Sequence, residues 1–282
     1  TGITFHSYGL QECIEKGREL FHWDEKRKEY QRQTGDVRRG VGMAIFMYKT
    51  GVYPISLETA GARLTLNQDG SVMLQVGATE IGQGADTVFC QMAAETVGVT
   101  DDRVHVVSTQ DTDIAPFDTG AYASRQTYVT GKAIRGAAEL LKKRILAYAA
   151  EIKERPADEL YILKNAVVDK KTGETVVSMG DLALEAQYSL KHSVHISAEY
   201  SHHCTDNTFS SGACFAEVEV DIPMCRVKIL RILSVHDSGV LINPKLAEAQ
   251  VQGGVSMGVG YGLYEEMLFD QNGKPLNDKL LD

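Results

Sequence analysis

The stretch Gly77-Ala78-Thr79-Glu80-Ile81-Gly82-Gln83-Gly84 decides how the chain is read, because it divides a strand pattern from a helix pattern. Before it, Ser71-Val72-Met73-Leu74-Gln75-Val76 alternates apolar and polar residues, the period-two signature of a half-buried strand. After it, Val88, Met92, Ala93, Thr96 and Val97 recur at helical spacing. A glycine-rich turn at a helix start presents free backbone N–H groups, which attract an anion. Glycine also simply permits positive φ, so a tight turn without a ligand stays open. The spacing fits neither the dinucleotide fingerprint nor a P-loop, which ends in Gly-Lys-Ser/Thr.

Two further stretches have the same flavour. Ala121-Tyr122-Ala123-Ser124-Arg125-Gln126-Thr127-Tyr128-Val129-Thr130-Gly131 leads into a helical pattern over Lys132 to Glu154. Small residues there let a ligand approach the backbone, while Ser124, Gln126 and Thr127 can donate and accept hydrogen bonds. A plain helix cap uses the same residue types. The third stretch, Asn243 to Gly262, is helical in pattern and carries Gln250, Gln252 and five glycines, at 253, 254, 258, 260 and 262. Each glycine costs a helix interior about 0.5–1 kcal/mol against alanine, so their density points to close backbone packing.

The strand patterns come as two hairpins. Ala62, Leu64 and Leu66 precede the turn Asn67-Gln68-Asp69-Gly70, with Val72, Leu74 and Val76 after it. Ala216, Val218 and Val220 alternate with Glu217, Glu219 and Asp221, a turn at Pro223 follows, and Val227, Ile229 and Leu230 begin a returning strand. Each hairpin feeds a loop and a glycine-bearing helix. The architecture expected is α+β, an approximate repeat of two sheets backed by helices, not a doubly wound parallel sheet. Between the hairpins lie strand signals at Tyr161-Ile162-Leu163 and Thr175-Val176-Val177, and a short helix starting near Ser178 with Asp181 in its first turn. Gly9 to Gln33 reads as a charged helical segment burying Ile14, Leu20 and Phe21.

Composition sets outer bounds. The 282 residues are 43% hydrophobic and 24% charged, the balance of a globular protein with a sizeable core. A net charge of −9 leaves no basic stripe for nucleic acid or an acidic membrane surface. No apolar run reaches membrane-spanning length, and no signal peptide opens the chain. Cysteines 13, 90, 204, 214 and 225 are odd in number and scattered, which suits reduced thiols in the cytoplasm better than a disulfide framework. His202-His203-Cys204 with Cys214 matches no usual zinc spacing. His236-Asp237-Ser238 lacks a nucleophile elbow, and neighbours on a strand face opposite ways, so a hydrolase triad is set aside.

In their order, the three glycine-bearing stretches resemble the C-terminal part of the molybdopterin-binding subunit of xanthine dehydrogenase and its relatives, the molybdenum hydroxylases. The resemblance runs through nearly the whole chain, from Arg39-Gly40-Val41-Gly42-Met43-Ala44 through Gly70-Ser71 and the 79–84 turn to Ser234-Val235-His236-Asp237-Ser238-Gly239-Val240-Leu241-Ile242-Asn243-Pro244. The stretch from Gly212 to Asp221 and Tyr264-Glu265-Glu266-Met267 are most similar to the bacterial xanthine dehydrogenase branch.

That resemblance implies two related sheet-plus-helix subdomains of the aldehyde oxidase/xanthine dehydrogenase molybdopterin-binding domain. The expected division is a helical lead-in over 1–36 and subdomains over 37–190 and 191–282. It implies a molybdenum cofactor whose metal is held by the pterin's dithiolene sulfurs, so no protein side chain is a metal ligand. Whether the pterin carries a cytosine dinucleotide tail stays open. The matching positions are Gly82 and Gln83 beside the pterin and metal ligands, Ala123, Ser124, Arg125, Gln126 and Thr127 around the pterin and its phosphate, and Gln250 on the pterin.

The implied reaction is hydroxylation of hypoxanthine or xanthine, with electrons leaving through iron–sulfur and FAD-binding subunits. Aldehydes or other N-heterocycles are the alternative substrates, and a non-catalytic remnant or interaction module is the alternative role. The family's base is a glutamate in a Gly-Glu-Pro-type motif. No such motif occurs here, so no catalytic residue is assigned. With Thr1 first and Leu280-Leu281-Asp282 last, the chain is expected to be the latter portion of such a subunit, inactive alone.

Overall fold

The computed structural model describes residues 5, 7–55 and 58–279. Along the chain come α1 (Leu10–Phe21), α2 (Trp23–Glu29), β1 (Val37–Thr50), β2 (Thr59–Leu66), β3 (Val72–Val76), α3 (Ala85–Val97), β4 (Val104–Val107) and α4 (Gln126–Ile152). There follow β5 (Leu160–Leu163), β6 (Ala166–Asp169), β7 (Thr175–Ser178), α5 (Met179–Tyr188), β8 (Ser197–His203), β9 (Thr208–Asp221), β10 (Arg226–Asp237) and α6 (Pro244–Leu263). The fold is α+β with three sheets, ordered β1-β9-β10, β4-β3-β2-β8 and β5-β6-β7. Two compact units result, one over Lys49–Phe209 and one combining residues up to Tyr48 with those from Ser210 on. This division differs from boundaries at 36/37 and 190/191, because β1 pairs with β9 far along the chain.

In the 49–209 unit, Ala62, Leu64 and Leu66 pair with Val76, Leu74 and Val72 in antiparallel register, and all six are buried. The alternation around the Asn67-Gly70 turn therefore translates directly into a hairpin. β8 pairs antiparallel with β2, and β4 joins β3 in parallel, which makes α3 the crossover of a β-α-β unit. Phe89, Ala93 and Val97 of α3 and Ile134, Leu141 and Ile145 of α4 close one core over this sheet. Each buried large side chain contributes about 1.5–3 kcal/mol. That outweighs the roughly 0.5–1 kcal/mol cost of each α4 glycine, and those glycines serve packing. A Cβ at Gly131 would lie 2.4 Å from Met92 Cε, and one at Gly136 2.4 Å from Tyr200 Cδ1. The strand signals at 161–163 and 175–177 belong to the small antiparallel sheet, completed by β6, which the sequence pattern had not marked. Ser178 caps α5, its Oγ accepting the Asp181 N–H at 3.1 Å.

In the other unit, Cys13, Gly17 and Phe21 form the buried stripe of α1, packed on Ala213 and Phe215 of β9. A Cβ at Gly17 would fall 2.1 Å from the Phe215 ring, so only glycine admits that ring. The buried face expected through Ile14, Leu20 and Phe21 is corrected accordingly. The stripe repeats every four residues from Cys13, which turns Leu20 outward to 56% exposure and leaves Ile14 at the margin. Glu217, on the covered face of β9, accepts from Lys26 Nζ and, at 2.6 Å, from Tyr30 Oη, which fastens α2 and the residues after it to the sheet. β10 returns along β9 with Val227, Ile229 and Ile232 opposite Val220, Val218 and Ala216, and a bulge between Ile229 and Arg231. Asn243 caps α6 and Pro244 opens it. No α6 residue is buried, and Gly253, Gly254, Gly258 and Gly262 would each meet no atom within 4 Å of an added Cβ. The close backbone packing expected of these glycines is therefore not met among the described residues.

Candidate functional site

Two loops of the 49–209 unit, together with the first two residues of α4, carry seven of the eight site positions expected from sequence. The first runs from the end of β3 to the start of α3. Gly82 at φ +98° and Gly84 at φ +84° supply left-handed backbone that other residues rarely adopt. The amides so exposed do not wait for an external anion. Glu80 turns its own carboxylate onto them, Oε1 accepting from Gly82 N–H at 2.7 Å and Gly84 N–H at 3.1 Å, and Oε2 from Asp86 N–H at 3.0 Å. Burial alone would raise the Glu80 pKa, but the amides of Asp86, Gly84, Gly82 and Ala85 together hold it below its ordinary value. The anion anticipated at this turn is thus a side chain of the turn itself.

Gln83 lies between the two amides pinned by Glu80 Oε1. Its own Oε1 accepts from Ile81 N–H at 2.7 Å, while Nε2 donates to Thr79 O at 2.9 Å and to Gln126 Oε1 at 2.7 Å. Gln126 Nε2 donates to the same Thr79 carbonyl at 3.1 Å. These bonds tie the first loop to the first residue of α4.

The second loop leads into α4 through Ala123 and Ser124, at φ +47° and +52°. Two successive non-glycine residues in the left-handed region are strained and need surroundings that enforce them. Gly51 N–H donates to Ala123 O at 2.8 Å, and Arg125 anchors the rest. The Arg125 side chain is 0% exposed. Its Nε donates to Glu58 Oε2 at 2.6 Å, Nη1 to Asp118 Oδ1 at 2.6 Å and Gly120 O at 3.0 Å, and Nη2 to Thr59 O at 2.9 Å. Val52 N–H donates to Glu58 Oε1, and Thr130 Oγ1 to Asp118 Oδ2. Burial works against the guanidinium charge, but the Glu58 hydrogen bond and the Asp118 charge prevail and hold the Arg125 pKa above its ordinary value.

The expected residues therefore divide by what they still offer. Gln83 and Gln126 are brought together, with most of their hydrogen-bonding capacity used inside the loops. The Arg125 side chain is a buried structural cation with no donor turned outward to a phosphate. Ser124 and Thr127 are exposed, and neither hydroxyl has a partner among the described residues. Gln250 belongs to the other unit, exposed on α6. Sequence reasoning missed Glu80, Glu58 and Asp118. A carboxylate just before a glycine-paired helix start is a readable capping signal for Glu80. Nothing local marks Glu58 and Asp118, which meet Arg125 only in the fold. Among the described residues no group of three or more His, Cys, Asp or Glu side chains is placed to hold a metal ion. His236 Nε2 lies 2.8 Å from Ser234 Oγ, and its ring packs on Phe46.

Comparison with known proteins follows the same line. Residues 16–282 match the molybdopterin cofactor-binding domain family. The chain is 51% identical over its whole length to the xanthine dehydrogenase molybdenum-binding subunit of Escherichia coli O157:H7, of which it spans 38%. It is 35% identical over 97% of its length to the "Probable hypoxanthine oxidase XdhD" of Escherichia coli (strain K12), spanning 28% of that protein. Among solved structures, reconstituted CO dehydrogenase from Oligotropha carboxidovorans superposes with a TM-score of 0.86 at 24% identity, covering all of this chain and 37% of the other. No helix among the described residues is long and apolar enough to cross a membrane.

Proposed function

We propose a cofactor-cradling role that starts from one premise: the chain belongs to the molybdopterin cofactor-binding domain family. In this reading it forms part of the molybdenum-binding subunit of a xanthine dehydrogenase-like oxidoreductase that hydroxylates hypoxanthine or xanthine. The observation that carries the reading is the joining of two loops through Gln83 and Gln126, beside exposed hydroxyls at Ser124 and Thr127, in a chain 51% identical to such a subunit.

The donor set suits a cofactor that brings its own metal ligands. Such a group asks the protein for hydrogen bonds, for room beside the backbone and for a place to seat a phosphate, not for thiolates or imidazoles. Ala123 leaves room for close approach. Ser124 and Thr127 donate hydroxyl hydrogens to phosphate oxygens, and the first amides of α4, at Gln126 and Thr127, have no acceptor within the helix. Gly82 and Gln83 present the edge of the first loop, Gln126 keeps one Nε2 hydrogen beyond its bond to Thr79, and Gln250 hydrogen-bonds the pterin from α6. Arg125 contributes by fixing the loop, not by touching the cofactor. When bound, the molybdenum centre supplies the two-electron oxidation of the substrate; this chain's residues hold and orient it. Electrons leave through iron–sulfur and FAD-binding partner subunits, and the assembly works in the cytoplasm.

The test is molybdenum and pterin content of the full-length parent with its partner subunits, beside this chain alone, with xanthine-dependent reduction followed in both. Cofactor and turnover in the parent are expected. A parent that binds no molybdenum overturns the enzyme reading and leaves a non-catalytic module.

A further inference from the structure

We infer that Glu80 is a positioning residue for the cofactor cradle: by holding the amides of Gly82, Gly84 and Asp86 it fixes Gln83 so that this side chain meets the cofactor only as a hydrogen-bond acceptor. The inference rests on the cradle reading above and gives that site a polarity.

The hydrogen-bond count leads to it. A glutamine amide has two N–H donors and an oxygen with two lone pairs. Gln83 spends both donors, on Thr79 O and Gln126 Oε1, and one lone pair on Ile81 N–H. One lone pair of Oε1 remains. The amide cannot be turned over to reverse this, because its oxygen would then face two acceptors, Thr79 O and Gln126 Oε1, and its NH2 would face the Ile81 N–H. Nor can Gln126 release Gln83 cheaply, since it is buried and donates to the same Thr79 carbonyl.

Glu80 decides whether this frame holds. Its Oε1 grips the amides of Gly82 and Gly84, the residues on either side of Gln83. Both have positive φ, where the backbone without a restraint is freest. The same carboxylate neutralises the positive end of α3, leaving that terminus closed to a phosphate and directing the cofactor's anionic tail to the start of α4. The group that Gln83 accepts from is therefore an N–H or O–H of the pterin or of a metal-bound ligand.

The experiment uses the full-length parent with its partner subunits and three variants: Glu80→Ala, Glu80→Gln and, as a control for plain cap loss, Ser178→Ala at α5. Three quantities are read: pterin and molybdenum retained per subunit after dialysis, amide hydrogen exchange at residues 81–86, and kcat and KM per bound molybdenum. Supporting partners around a bound centre change affinity by about 10–100-fold when removed. Glu80→Ala is expected to speed exchange at Gly82, Gly84 and Asp86 and to weaken cofactor retention about tenfold or more. Glu80→Gln, which keeps an oxygen for the two glycine amides, lies between, and Ser178→Ala retains cofactor as the wild type does. Should Glu80→Ala fail to fold, Glu80→Gln carries the test by the same readouts. Faster exchange with unchanged cofactor retention and kinetics overturns the positioning role and leaves the cradle intact. A wild-type parent without molybdenum overturns both, even where the amides stay protected.

Discussion

Replacing Arg125 with methionine removes the one cation from a buried site that holds two carboxylates. In the native protein Glu58 and Asp118 share a guanidinium that is itself 0% exposed, and every oxygen of the three-residue cluster has a donor. Methionine fills much of the volume but donates nothing. Glu58 Oε2 and the carbonyl of Thr59 lose their donor, Asp118 Oδ1 keeps only Gly120 N–H, and two buried negative charges face each other without a cation. Breaking a buried pair in this way costs about 3–5 kcal/mol. For a unit of this size, roughly 2–4 °C of Tm per kcal/mol then gives a drop of roughly 6–20 °C.

Glu58→Gln acts in the opposite sense on charge. It leaves Arg125 paired with Asp118, brings the cluster from one net negative charge to none, and keeps an amide oxygen for one of the two donors, so its cost is expected below about 2 kcal/mol. Urea unfolding followed by far-UV circular dichroism measures both. Trp23 is the only tryptophan in the sequence and lies in the other unit, so its fluorescence provides a separate readout. An Arg125→Met variant that loses under about 1 kcal/mol, or a Glu58→Gln variant that loses as much as Arg125→Met, would falsify the view that this cation holds the second loop in place.

Other consequences can be checked in the same preparations. Glu80, Glu217, Asp69 and Asp169 all have pKa values held below the ordinary carboxylate range, by backbone amides at Glu80 and Asp169, by Lys26 and Tyr30 at Glu217, and by Ser71 at Asp69. The unfolded chain then binds more protons than the folded one below about pH 4. Their stabilisation is complete at neutral pH and is lost as pH falls through the folded-state values; urea midpoints that stay flat on acidification would contradict it. Gly17→Ala forces a Cβ against the Phe215 ring, and over-packing of this kind costs about 1–3 kcal/mol. Trp23, whose ring stands edge-on to Phe215 at 5.7 Å, should report the shift in its emission, and an unchanged spectrum and midpoint would count against the packing described. In α6, five glycines weaken the helix by about 2.5–5 kcal/mol against alanine, and no buried side chain offsets this. Hydrogen exchange on this chain alone should find α6 less protected than α4; equal protection would refute that.

How much of this was legible depends on the range of the forces involved. The hairpin at Ala62 to Val76, the capped start of α5 and the helix over most of 126–152 follow from alternation, caps and periodicity, which are local, and they are where the sequence places them. β6 was not legible, since Ala166-Val167-Val168-Asp169 is too short to show a period and is defined by its partners on either side. The parallel β3–β4 pairing depends on how α3 packs, a long-range matter. On α1, the burial of Gly17 in place of Leu20 depends on where the Phe215 ring projects, and no helical periodicity carries that information.

The candidate site was legible in a different way, as a set of places, while the bonds that hold those places in shape were not. Arg125 sits among small and hydroxyl residues, and its five N–H groups in a planar fork suit a loop that must be tied to two carboxylates and two carbonyls. Glycines before α3 suggest open amides, yet Glu80 already fills them. In both loops the strongest hydrogen-bonding groups are spent on holding unusual backbone, at Gly82 and Gly84 in one and at Ala123 and Ser124 in the other. What is left unspent is weaker and more selective: a lone pair on Gln83, one hydrogen on Gln126, and the exposed hydroxyls of Ser124 and Thr127. A cradle of that kind gains affinity from being rigid before its ligand arrives, since little ordering remains to oppose binding. Mutations at Glu80 and at the buried Arg125 should therefore change cofactor affinity as much as mutations at the exposed contacts do.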